Sequence, residues 1–464
     1  MTTMAMPMAG HRPWTLATVA AGLTLGFAYT LSPLTVLSLG ALVWAMRAAS
    51  RGLSAAERRW FWCVITAATA LRLSAIAILF LTADPSQPFA SFFGDEELYK
   101  FRTVWIRNLG QGLPMSPADV IYSVDDVGRT SYMYVLTLVQ AVVGDAPYGL
   151  HVMNMTIYLS AVLALYRLVR ASYGTAVSLA GLMALLFLPS LVVWSISVLK
   201  EPMNVFMLVG ELICAVAMVR APRYWQKGIA ALGVVVFALA MESLRTGGLL
   251  TAALGTVGGL TLAFILARGR RVVVALVAAP VAIAIVAGSA AVQDRVIANL
   301  RYAAFYHAGH VVTPGYSYLL LNPGYYPDRI HILNHMPPVD AGRFTLKAGW
   351  SYFAEPLPWK SVSRALLAYL PEQFVWYVMA LLLPLGIVAG LRRDRMVTSL
   401  LVMHAAGAIV LVALTSGNIG TLIRHRSLAL LYLVWLSALG GHELVRLVVE
   451  RNGREEGSGL NGDR

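Results

Sequence analysis

The stretch GTAVSLAGLMALLFLPSLVVWSIS, residues 174–197, contains no Asp, Glu, Lys or Arg. A helix needs roughly 20 apolar residues to cross the hydrocarbon of a bilayer, and in lipid its backbone groups must be paired within the helix itself. This stretch satisfies the length and reads as a membrane span. Similar runs lie on both sides of it, near 60–81, 149–169, 202–219, 228–244, 247–266, 272–291, 366–390, 397–415 and 427–445. The run 14–46 is too long for one helix and is interrupted at Ser32-Pro33, so it reads as a hairpin of two retained spans. The predicted fold is an all-α polytopic membrane protein with about 12 transmembrane helices.

Composition agrees. Of 464 residues, 58% are hydrophobic and 13% charged, whereas soluble domains are about half apolar and about a quarter charged. The net charge of +13 is spread over short clusters between apolar runs, which is a topological pattern and no nucleic-acid face. Cys63 and Cys214 both fall inside predicted spans, so no disulfide framework is implied. No internal repeat is evident.

With the N-terminus inside, one side of the membrane receives Arg47/Arg51/Arg58/Arg59, Arg167/Arg170, Arg220/Arg223/Lys227, Arg268/Arg270/Arg271, Arg392/Arg393/Arg395 and Arg446/Arg451/Arg454. The short loops on the other side hold only Lys200, Arg245, Arg424 and Arg426. Basic residues favour the cytoplasmic side. Five regions follow: a transmembrane hairpin and basic cytoplasmic loop (1–59), a transmembrane core (60–291) with a first outer segment (82–148), a second, aromatic-rich outer loop (292–365), C-terminal transmembrane helices (366–450) and a disordered cytoplasmic tail (451–464). Outer segments this long are uncommon unless functional. Within the first, the apolar piece 132–143 reads as a helix in or dipping into the outer interface.

The densest chemical signal is Phe92-Phe93-Gly94-Asp95-Glu96-Glu97-Leu98-Tyr99, a carboxylate cluster just after a span exits. It reads either as a catalytic acid cluster or as acids capping a helix that starts near Glu97, where carboxylates are favoured. Glu201, after Lys200 and before Pro202, supplies a second acidic point on the same face. Two such points can bind an acceptor and take its proton; alternatively Lys200 and Glu201 only open the next helix. Arg72 lies mid-span, where an ionisable residue is costly enough to suggest function, and it should point inward to a carboxylate or phosphate. The loop from Gly417 to Arg426 sets Arg424 and Arg426 beside a Gly-rich turn, and Glu242 with Arg245 ends another span. Guanidinium forks suit phosphate oxygens, although helix-end salt bridges would use the same residues. His307/His310 and His331/His335 have helical ligand spacings, but Pro and Gly surround them and no helix is evident, so no metal site is assigned. Asn154-Met155-Thr156 has glycosylation-acceptor form but lies inside a predicted span.

Arg72 in a span, then Gly94-Asp95-Glu96 with Tyr99 in the first outer segment, then Lys200-Glu201-Pro202 at the outer end of a later span, together resemble the multi-pass C-type glycosyltransferases. The nearest branch holds the dolichyl-phosphate-mannose protein mannosyltransferases and the lipid A aminoarabinose transferases. The resemblance covers mainly residues 60–220, with a weaker echo in the Arg424-His425-Arg426 loop. It implies inverting transfer of a sugar from a polyprenyl-phosphate donor to a glycan, lipid or protein acceptor on the outer face of the membrane, and the composition, rich in Arg over Lys and in Ala, Gly, Leu and Val, reads that membrane as a bacterial cytoplasmic one. On this reading Asp95 is the base, Glu96 and Glu201 orient acceptor or donor, and Tyr99 binds substrate. Arg72, Lys200, Arg245, Arg424 and Arg426 neutralise the donor phosphate as it leaves. A divalent cation, Mg or Mn, belongs to some branches of the family and not to others. The chain departs from the pattern in having Glu201 where many relatives carry Asp, in two spans ahead of the expected first one, and in 292–365, which carries no family signature.

Two other readings compete. A polysaccharide polymerase or ligase acting on lipid-linked glycans would also show about 12 spans, and would rely on outer-loop arginines without an acidic first loop. A transporter or flippase would show repeats and charged or broken helices at the midplane; apart from Arg72, the sequence shows neither.

Overall fold

The structure, a computed structural model, describes residues 18–19, 21–24, 26, 32–83, 91–125, 129–267, 269, 288–312, 316–360 and 364–459. Among them the regular elements are helical and no strand forms. The helices are α1 (Pro33–Ser50), α2 (Ala55–Thr82), α3 (Gly94–Gly110), α4 (Pro117–Val124), α5 (Ser131–Val143), α6 (Pro147–Tyr173), α7 (Thr175–Phe187) and α8 (Pro189–Ile196). They continue with α9 (Glu201–Arg220), α10 (Tyr224–Leu244), α11 (Gly248–Leu266), α12 (Ala290–Val311), α13 (Arg329–His335), α14 (Pro338–Ala354), α15 (Arg364–Arg393), α16 (Arg395–Thr415) and α17 (Ile419–Gly459).

Nine of the described helices are long and apolar enough to cross a membrane, or ten if α7 and α8 form one span. The chain is an all-α, multi-pass membrane protein. The expected first half of the N-terminal hairpin, before Ser32, and the span at 272–291 lie for the most part outside the described residues. The run that opened the sequence reading is broken: α7 and α8 meet at 63°. Pro189 lacks an N–H and disfavours helical geometry in the residue before it, and Leu188 has an extended ψ of 123°.

The second expected outer loop is instead mostly helical, comprising α12, α13 and α14. It docks on the turn between α16 and α17, where Tyr318 N–H donates to the Gly417 carbonyl at 3.1 Å and Ile419 N–H to that of Tyr316 at 2.8 Å. The last helix runs to Gly459, past Arg451 where the sequence reading begins a disordered tail.

The chain forms two compact units. One comprises 1–52, 66–160 and 195–203, and the other 53–65, 161–194 and 204–464. In the first, α6 starts against the chain entering α1, and a Cβ on Gly149 would come within 2.3 Å of Ser32 Oγ. In the second, α15 and α17 touch backbone to backbone. A Cβ on Gly386 would lie 1.8 Å from the Leu436 carbonyl oxygen, and one on Gly440 would lie 2.2 Å from that of Leu382. Close approach at small residues is how helices associate where lipid removes the usual hydrophobic drive. At one end of this unit Arg170 pairs with Glu57 at 2.5 Å, Arg220 pairs with Asp394 at 2.7 Å, Arg393 pairs with Glu443, and Ser172 donates to Asp394 at 2.6 Å. Basic clusters from four separate segments thus share one end of the bundle, as the alternation of spans requires.

Candidate functional site

Helix α3 begins at the acidic cluster, and Glu96 explains why it begins there. One carboxylate oxygen accepts the N–H groups of Phe92 at 3.0 Å and Phe93 at 3.2 Å, donors that would otherwise be orphaned at a helix start. The other oxygen accepts the Val198 N–H at 2.9 Å and lies 3.6 Å from Lys100 Nζ, one turn along α3. Glu96 and Lys100 are both fully buried.

The turn from Ser195 to Lys200, between α8 and α9, is held from three sides. Arg72 Nε on α2 donates to Ser195 Oγ at 2.8 Å, and its guanidinium lies over the Tyr158 ring at 5.6 Å. On α6, Asn154 Nδ2 donates to the carbonyls of Ser197 at 2.6 Å and Leu199 at 2.9 Å, while its amide oxygen accepts from Tyr132 OH at 3.1 Å. One turn before it, His151 Nδ1 stands 2.7 Å from the Ile196 carbonyl. Donation there fixes the tautomer and leaves Nε2 to accept from Lys100 Nζ at 3.1 Å. The turn then delivers Lys200, half-buried, and Glu201, buried, at the start of α9.

Burial dominates the electrostatics of this cluster. It raises the Glu96 carboxyl above its usual range against the pull of Lys100, and it lowers the Lys100 ammonium to about 8. Tyr132 is pushed well above the usual phenol range by burial, with the charges of Glu96 and Glu201 adding to it.

Several sequence-predicted residues therefore come together in one unit, in altered roles. Asp95 is exposed beside the anchored Glu96. Glu96 itself is a positioning residue, buried against backbone donors, where the sequence reading has it orienting substrate. Tyr99 is buried edge-on to Tyr132, their rings 5.7 Å apart. Arg72 points inward as expected, toward a hydroxyl.

The remaining basic candidates belong to the other unit. Arg245 lies 3.1 Å from His425 Nδ1 and lines a small cavity with Asn204, Leu208, Thr251 and Leu428. Arg424 lies over the Trp194 ring at 5.7 Å. Arg426, expected on the donor phosphate, is fully buried as a loop anchor. It donates to the carbonyls of Tyr352 and Glu355, each at 2.6 Å, and to Gln373 Oε1 at 2.9 Å, and it stacks 4.7 Å from the Trp376 ring centroid. Glu242 caps α11 through the Leu249 N–H at 2.9 Å.

No family model, curated protein or solved structure matches the chain.

Among the described residues, no three His, Cys, Asp or Glu side chains are grouped so as to hold a metal ion. The four histidines do lie on helices, contrary to expectation. His307 and His310 sit on α12 with Nδ1 2.7 Å from the Ser416 and Thr415 carbonyls respectively, and burial lowers the His307 pKa to about 4. His331 and His335 stack on α13.

Sequence reasoning missed Lys100, His151 and Asn154. Polar residues three apart in a span, as His151 and Asn154 are, carry a readable signal, because each must find a partner inside the protein. It also missed Glu211 and His404, buried within α9 and α16. With the bent α7–α8 pair, they overturn the expectation that Arg72 is the one departure from plain apolar spans.

Proposed function

We propose that the chain is a membrane glycosyltransferase that moves a sugar from a polyprenyl-phosphate donor to a glycan, lipid or protein acceptor on the outer face of a bacterial cytoplasmic membrane. What supports the reading above all is the Glu96 anchor. It joins the acidic first segment to the Ser195–Lys200 turn, so that Asp95, Lys200 and Glu201, far apart in sequence, occupy one region.

On this reading Asp95 accepts the proton of the acceptor hydroxyl as its oxygen attacks the anomeric carbon. The bond from that carbon to the phosphate oxygen breaks with inversion, and polyprenyl phosphate leaves with the electron pair. Glu201 orients the acceptor, and Lys200 offsets charge developing on the phosphate. Arg72, Glu96, Lys100, His151 and Asn154 hold the geometry. Arg245 and Arg424 remain candidate contacts for a lipid phosphate, and Arg426 is set aside. A divalent ion, if used, would need ligands from the acceptor or donor as well as Asp95 or Glu201.

The test is mass spectrometry of lipid-linked and surface glycans from cells lacking the gene. A polyprenyl-phosphate sugar should accumulate, one surface glycan should lose a residue, and the wild-type gene should restore both. An unchanged glycan profile would overturn the proposal. A transporter reading has specific support in the bent α7–α8 pair and the buried Glu211 and His404; it predicts loss of glycan without loss of transfer activity in vitro.

A further inference from the structure

Glu211 sits at the middle of α9 and His404 at the middle of α16, both fully buried in membrane-spanning helices. Their hydrogen bonds fix what the pair requires. His404 Nδ1 lies 2.8 Å from the Leu400 carbonyl of its own helix and must donate to it, which leaves Nε2 as a lone pair in the neutral ring. That Nε2 faces Glu211 Oε2 at 3.5 Å, and neither atom has another hydrogen-bond partner. A lone pair facing a carboxylate oxygen in a buried site is repulsive. One proton between them turns the contact into a hydrogen bond, whether as carboxylic acid and imidazole or as carboxylate and imidazolium.

The surroundings are built around this contact. The other carboxylate oxygen accepts from Thr256 Oγ1 at 2.5 Å, and Thr256 lies in a π-helical turn, Leu254–Gly258, within α11. Such turns often occur at functional sites. Gly255 in the same turn admits the imidazole, since a Cβ there would lie 2.4 Å from His404 Cδ2. From α17 Tyr432 packs its ring 5.3 Å from that of His404, its buried hydroxyl unpartnered, and Cys214 is the neighbouring titratable group on α9 itself. His404 is the only basic group paired with Glu211 among the described residues. The small cavity lined by Leu208, Thr251, Ala408 and Arg245 lies one helical turn away, toward the Arg245 end.

We propose that Glu211 and His404 form a proton-binding site inside the membrane-spanning region, holding a single exchangeable proton between Oε2 and Nε2. The site is independent of the glycosyltransferase reading. It would serve a proton-coupled conformational step whichever substrate the protein handles.

The experiment is nitrogen NMR of the full chain, labelled with 15N-histidine and reconstituted in lipid nanodiscs, titrated from acid to alkaline pH. His404→Gln assigns the signal. The expected result is a His404 Nε2 signal that changes through the titration from protonated, or hydrogen-bonded to the carboxylic acid, to a free lone pair, with a midpoint lowered by about one pH unit or more in Glu211→Gln. An Nε2 signal that shows neither protonation nor the change from a hydrogen-bonded to a free lone pair would overturn the proposal on the wild-type protein alone, even if the variant fails to fold. So would an unshifted midpoint in Glu211→Gln. A signal that follows sodium or potassium at fixed pH would replace the proton with an alkali cation.

Discussion

The carboxylate of Glu96 accepts the backbone N–H of Val198 at 2.9 Å, across 102 residues of sequence. That one bond couples the start of α3 to the turn that carries Lys200 and Glu201. Removing it should therefore do more than remove a cap. Glu96→Ala leaves three backbone donors and a buried ammonium without their acceptor. We expect a loss of about 3–5 kcal/mol, the usual scale when one partner of a buried pair is deleted. Thermal unfolding in detergent checks this, and Glu96→Ala with Lys100→Met should recover part of the loss.

The same cluster predicts a pH dependence. Burial depresses the Lys100 pKa to about 8 in the folded protein, against about 10.4 for a free lysine. A depressed folded value means that the folded state releases this proton first. The contribution of Lys100 to stability is thus fully present above about 10.4 and is lost as pH falls through about 8. Melting temperatures of wild type and Lys100→Met, compared over that window, should differ in slope, with the variant lacking the rise toward alkaline pH. Parallel curves would show that burial does not depress the Lys100 pKa.

Asp95 is exposed, so Asp95→Asn should leave the melting temperature within experimental scatter. If Asp95 is the base, transfer from a polyprenyl-phosphate sugar should fall by on the order of 10² or more. Near-normal transfer at matched expression would remove it from the mechanism.

Membrane sidedness can be checked at exposed positions in a Cys63→Ser, Cys214→Ser background. Cysteines replacing Gln111 or Asn322 should react with an impermeant thiol reagent in intact cells, while one replacing Ser54 should not. The reverse pattern would invert the proposed orientation.

The spans were legible because hydropathy over a full helix length is a property of the sequence itself, and each expected span within the described residues corresponds to a helix or to the bent pair. Helices α12, α13 and α14 were not. Their apolar and aromatic positions are mixed with Pro, Gly and His, and their order comes from contacts such as Tyr318 to Gly417 that no local pattern announces. At the site, Asp95, Glu96, Lys200 and Glu201 stood out as charges at helix ends. Asn154 was visible only as a glycosylation triplet, and its real task, holding two carbonyls of a turn, depends on tertiary placement. Glu211 was passed over because one carboxylate barely lowers the hydropathy of a whole span.

Arg424 and Arg426 looked equivalent in sequence, and the structure separates them. Arg426 is fully buried, with its guanidinium bonded to three acceptors on α14, its C-terminal end and α15, and stacked on Trp376. An ammonium has neither the planar fork nor the reach to replace those bonds. Arg426→Lys should therefore lower stability by roughly 2–4 kcal/mol, between the cost of an unmet buried hydrogen bond and that of a broken buried pair. Arg424 is half-buried over Trp194 and anchors no such set of carbonyls. If it contacts a lipid phosphate, Arg424→Lys should keep the melting temperature and weaken binding of a polyprenyl-phosphate sugar, because the bidentate contact is lost. Donor titration beside thermal unfolding for each purified variant reads both quantities. An Arg424→Lys protein with unchanged donor affinity would remove Arg424 from the candidate phosphate contacts. An Arg426→Lys protein of unchanged stability would contradict the anchoring role.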